Sequence, residues 1–102
     1  MEGLAWLDET IACDLLRVSE DNLDLIAEHA LALPSLVEVS TGYPAEVTAD
    51  DPDELVKALC RAWLQLLFNP DGTDADKLTK MVDSLSAKVH ALAIDMEADH
   101  AH

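Results

Sequence analysis

Apolar residues recur along the chain at spacings of three and four, the period of a helix with one buried face. Leu4, Leu7, Ile11 and Leu15 form the first stripe and predict a helix over about 4–17, with Arg17 at its negative C-terminal pole. Leu23, Ile26, Ala27, Ala30 and Leu33 form the second, with Ser19 as N-cap and Glu20 and Asp21 in the first turn. Pro34 interrupts this stripe. The residue before a proline resists the helical conformation, so the helix is expected to end or kink at Leu33. A shorter helix then runs from Pro34 to about Ser40, and Gly42 stops it in the left-handed conformation.

Tyr43-Pro44 opens an extended loop that reaches Asp50. The next helix has the clearest start: Asp51 caps, Pro52 takes the first helical position, and Glu54 completes a capping-box-like arrangement. Leu55, Leu59, Ala62, Trp63, Leu66 and Leu67 give it a broad apolar face, which predicts the most buried helix of the fold. Asn69-Pro70-Asp71-Gly72 is a strong turn signal. The last helix starts after Thr73 or Asp74 and runs to about Met96. It carries two interleaved seven-residue series, Leu78, Leu85, Leu92 and Val82, Val89, Met96, widened by Met81. Such a repeat suits packing along a neighbouring helix. Two destinations stay open for it: the chain's own core, or a seam exposed for an identical subunit or another protein, with Leu85 and Leu92 as its candidates.

The pattern predicts an all-α fold, a small bundle of four to five helices with one long loop (about 43–51). Leu23, Ile26, Leu55, Leu59, Trp63 and Leu66 are the expected core. Residues 1–96 form a single helical domain, and 97–102 a flexible C-terminal tail without an apolar run. The chain's 102 residues suit one domain. An apolar fraction of 50% argues against disorder, and few glycines and aromatics favour helices built on Leu, Val, Ala and Ile.

Charge changes the picture most. Twenty-one acidic residues against six basic ones leave a formal charge of −15. Such a surface repels nucleic-acid phosphates and anionic membranes. It serves solubility, adaptation to high salt, or a negative surface presented on purpose. The N-terminus lacks a basic, apolar leader and no stretch is long enough to span a bilayer, so a soluble intracellular protein without membrane contact is expected.

Candidate chemistry is sparse. Cys13 and Cys60 sit in apolar helical patterns, as buried free thiols would. His29 and His90 are isolated, there is no C-x2-C or H-E-x-x-H motif, and His100 and His102, two apart with Asp99 beside them, form only a loose pair in the tail. Asp21 with Asp24 and Asp71 with Asp74 are spaced by three, but no second acidic pair faces either of them as a magnesium site on helices would need. The serines lack a strand–turn–helix elbow, and no glycine-rich loop is present. No catalytic residue, cofactor or metal ligand is assigned. The basic pairs Lys57 with Arg61 and Lys77 with Lys80 stand out instead as candidates to meet acidic faces of neighbours.

One succession of signals resembles the small head-to-tail adaptor (connector) proteins of tailed bacteriophages. It comprises L-R-V at 16–18, the polar S-E-D at 19–21, the apolar helix from Leu23, Thr41-Gly42, the proline-started helix after Pro52, and the turn Asn69-Pro70-Asp71-Gly72. The match spans about Leu4 to Thr73. The chain departs from the family at Pro34, within a helix that the family keeps continuous, and after residue 74, where many relatives end in an extended segment. The resemblance implies a homo-oligomeric ring of about a dozen copies beneath the portal of the capsid. The subunit is then a virion protein made in the host cytoplasm, with portal, stopper and tail proteins as partners. An acidic channel wall would let DNA pass without specific binding. The acidity fits a second class as well: a DNA-mimicking inhibitor, of anti-restriction or anti-CRISPR type, that occupies the basic channel of a nucleic-acid-binding enzyme through clusters such as Asp50-Asp51-Asp53-Glu54.

Overall fold

The structure, a computed structural model, describes residues 1–100, and of their side chains those of 1–97. Five α-helices follow one another: α1 (Glu9–Leu16), α2 (Leu23–Thr41), α3 (Ala45–Asp50), α4 (Glu54–Phe68) and α5 (Ala75–His100), with one 3-10 turn at Glu20–Asn22 before α2. The all-α bundle is the fold the periodicity predicts. α4 packs most extensively on α5, and α2 closes the core against both. The body is elongated, 48 × 27 × 18 Å.

The first stripe divides between two structures. Leu4 and Leu7 are fully buried, but they lie in a coiled N-terminal arm, and helix α1 begins only at Glu9. Asp8 is the reason: its carboxylate accepts hydrogen bonds from the amides of Thr10 (2.8 Å) and Ile11 (3.3 Å), satisfying donors a helix start leaves free. The phase shifts accordingly, so Ala12 and Cys13 face the core while Ile11 is 57% exposed. α1 ends with Arg17 in the left-handed region, φ 57°, where Val18 N–H bonds back to the Cys13 carbonyl.

Pro34 does not end α2, contrary to the expected break at Leu33: one 19-residue helix runs through it to Thr41. A proline in a helix interior leaves the carbonyl four residues back without its amide donor. Here that carbonyl is Ala30, and the N-terminal arm covers it: the backbone of Gly3 lies against Ala30 and Leu31. Pro34 itself is buried. Tertiary packing of Ile26, Ala30, Leu33 and Val37 carries the helix through the lost bond. Gly42 then ends it at φ 83°, its amide donating to Glu38.

The expected long loop is a second correction, because α3 fills it. The Glu38 carboxylate accepts from Ala45 N–H (3.0 Å), and the Thr48 hydroxyl donates to the Pro44 carbonyl (3.0 Å). Two bonds from the N-terminal arm fix the helix from outside: Ala5 N–H to Ala49 (2.8 Å) and the Trp6 indole N–H to Thr48 (2.9 Å). Asp51 closes α3 rather than capping α4, whose N-cap is Asp53, bonded to Leu55 N–H at 2.9 Å.

The buried face of α4 also differs from the expected one. Val56, Leu59, Cys60, Ala62 and Leu64 are its core positions. Leu55, expected inside, is 36% exposed. Ile26 and Leu59 are fully buried, and Leu23, Trp63 and Leu66 pack half-buried around the core. α5 runs past Met96 to His100, so the expected tail begins in helix; 101–102 and the side chains of the Asp99–His100–His102 pair lie outside the described residues.

Candidate interaction surfaces

Lys57 is the only cation in an ion pair among the described residues. Its ammonium lies 3.6 Å from Asp51 and 3.5 Å from Glu54, and 5.9 Å from the centre of the Trp6 ring. These partners belong to the same chain, so Lys57 ties the N-terminal arm to the α3–α4 junction through two exposed carboxylates. Its separation from the ring suits a cation–π contact, and partial burial lessens the screening of its charge. Arg61, one turn on, is half-buried.

Thr41, Gly42 and Tyr43 form a second junction. Thr41 is buried; its hydroxyl donates to Val37 (2.6 Å) and accepts from Tyr43 N–H (3.2 Å). The Thr41 carbonyl lies 2.9 Å from His90 Nδ1 on α5. A carbonyl only accepts, so Nδ1 carries the proton. The Tyr43 hydroxyl accepts from Asp53 N–H at 3.3 Å. One tripeptide thereby fastens the end of α2 to α5 and to the start of α4. Its role is architectural.

Burial silences both thiols. It pushes Cys60 up to about 12 despite the opposing pull of Arg61, and raises Cys13, where Glu20, Asp14 and Glu9 add to the effect. Neither has the thiolate character a nucleophile needs. Among the described residues, no group of three or more His, Cys, Asp or Glu is placed to hold a metal ion. A cleft of about 750 Å³ lies between the end of α1 and the α4–α5 turn, with Asp14, Arg17, Gln65, Asn69 and Asp74 on its walls.

Two helix faces remain open. On α5, Lys77 and Lys80 are exposed and flank Met81, Ser84 and half-buried Leu85 along a shallow surface of about 700 Å³. The inner series of the seven-residue repeat goes to the core: Val82 and Val89 are buried, together with Ala93, while Leu85 and Leu92 sit at its margin. On α2, the side turned from the core exposes Leu25, Leu31 and Val39, at 46%, 54% and 87%, beside Asp24 and Glu28. The apolar residues of this face lie off the stripe that marks the core, which is why periodicity aimed at burial passes over them.

No family model, curated protein or solved structure matches the chain. No described helix is long and apolar enough to cross a membrane.

Proposed function

We propose that the chain is a head-to-tail connector subunit of a tailed bacteriophage, which acts by assembly and not by catalysis. The observation that carries the reading is α2. The connector pattern that the sequence resembles has one long helix ending near Thr-Gly, and Pro34 was its main obstacle. Helix α2 runs unbroken from Leu23 through Pro34 to Thr41 and stops on a left-handed Gly42. Helix α4, which begins at Glu54 two residues after Pro52, and the Asn69-Pro70-Asp71-Gly72 turn follow in the same order. Helix α5 extends beyond the resemblance.

A formal charge of −15 suits a wall past which DNA slides, since phosphates meet carboxylates and nothing holds them. Open helix faces with apolar centres suit a subunit that is completed by neighbours. Partners are further copies of the chain, the portal above, and stopper or tail proteins below. Co-expression with a portal protein from the chain's own genome tests the reading, and a genome that encodes none would overturn it. Purified portals should carry a ring of the chain visible by electron microscopy. Portals recovered bare, from cells that make both proteins in soluble form, would overturn it, as would a chain that instead captures a nuclease as a monomer.

A further inference from the structure

We propose that the outer face of α5, bearing Lys77, Lys80 and Lys88, docks on the outer face of α2 in a second copy of the chain, where Asp24 and Glu28 receive it. The inference rests on the connector reading in that it sets like copies side by side, and it names the surfaces by which they meet.

Cations are scarce. Six basic side chains serve the whole chain. Lys57 is bound to Asp51 and Glu54 of its own chain. Three of the other five lie on one helix, α5, and all three are exposed. Lys77, Lys80, Ser84 and Lys88 follow at spacings of three and four, so they share one side, with Met81 (41% exposed) beside them. Among the described residues, no other helix carries three exposed lysines on one side, and they outnumber Asp76, which lines the same surface.

The complementary surface lies on the same molecule. The outer side of α2 carries Asp24 and Glu28, followed by exposed Leu31 and Val39. On α5, Lys77 and Lys80 likewise precede Met81 and Leu85. Laid side by side in the same direction, the two faces bring Lys77 and Lys80 to Asp24 and Glu28 at one end and Met81 and Leu85 towards Leu31 beyond them, with Lys88 and Glu38 further along. Both helices turn their opposite sides into the shared core, through Ile26, Leu33 and Val37 on α2 and Val82, Val89 and Ala93 on α5. The two open faces therefore point away from the molecule and cannot meet within one chain. A contact between unlike faces of identical subunits is head-to-tail, and it closes into a ring when the rotation permits.

The test is a charge exchange, read by sedimentation over a concentration series at roughly physiological salt, where long-range repulsion is screened beyond about 8 Å. One variant carries Lys77→Glu and Lys80→Glu, the other Asp24→Lys and Glu28→Lys. All four positions are exposed, and circular dichroism checks the folds. Each variant alone should associate at least about tenfold more weakly than the unaltered chain, and an equimolar mixture should recover the loss. The second variant is decisive, because it is less acidic overall. If bulk repulsion alone governed association, it would associate more tightly than the unaltered chain, and that result overturns the proposal. A mixture no stronger than its components overturns it too. So does an unaltered chain that stays monomeric both alone and on the portal. As a second readout, Lys80→Cys on one copy and Glu28→Cys on another should cross-link between chains, and failure to do so within an assembled ring counts against the pairing. Copies bound to the portal that ignore the exchange refute the pairing and leave the connector reading intact. Recovery by the mixture without portal binding refutes the connector reading and keeps the pairing.

Discussion

Gly3 lies against the backbone of Ala30 so closely that a β-carbon on Gly3 would stand 2.8 Å from the Ala30 carbonyl oxygen and 2.7 Å from the Leu31 α-carbon. This is the carbonyl that Pro34 deprives of its helical donor. The arm and the proline are thereby coupled: α2 loses a bond where the N-terminal arm needs room, and only glycine fits the gap.

Gly3→Ala should therefore be costly. The residue has φ 87°, which disfavours any side chain, and the obstructing atoms are backbone, which cannot swing aside. A loss of about 2–3 kcal/mol is expected in urea unfolding. An effect within experimental error would show that the arm is not docked.

Arg17 presents the opposite case. It holds a left-handed conformation at the end of α1, at φ 57°, which costs a residue with a β-carbon about 1 kcal/mol. Arg17→Gly should stabilise the chain by roughly 0.5–1 kcal/mol in the same assay, by removing that strain.

Thr41 tests the junction between α2 and α5. Thr41→Val keeps the shape but leaves the buried Tyr43 amide without its acceptor. Such an orphaned donor should cost about 1–3 kcal/mol, while Thr41→Ser, which keeps the hydroxyl, should cost less. Hydrogen exchange at Tyr43 should rise in the valine variant only.

Cys60 gives the fold a pH dependence at the alkaline end. Its thiol has a folded pKa of about 12 against an ordinary 9.0. Between those values the folded chain keeps a proton that the unfolded chain releases. Stability from this group is complete below pH 9 and falls as pH rises, by about 1.4 kcal/mol per unit at most. Cys60→Ala should flatten that slope in alkaline unfolding curves. At pH 8, a thiol reagent should leave Cys60 unmodified in the folded chain and label it on unfolding.

The helices were legible in the sequence where burial and period agree, as along Leu23, Ile26 and Ala30 or Val82 and Val89. They were not legible where a contact distant in sequence decides. Pro34 reads as a breaker until Gly3 and the core packing of α2 are seen. The segment 45–50 reads as loop because six residues cannot hold a helix alone; Trp6 and Ala5 hold it from forty residues away. Pro44 followed by Glu46 was a usable start signal for it. Asp8 and Asp53 are visible in the sequence as cap residues, and they mark the starts of α1 and α4. Among the surface candidates, Lys57 was found as a cation, but its partners Asp51, Glu54 and Trp6 become neighbours only once α3 folds. The open face of α2 is not legible in the sequence because exposed apolar residues leave no period of their own.

The central claim, that the chain is one subunit of a ring under a portal, is tested most directly by the mass of the complex it forms with that portal. Native mass measurement of the purified complex should give about a dozen copies of the chain per portal ring, in one closed species. A portal that carries no copies, or a scattered and variable number of them, would contradict it.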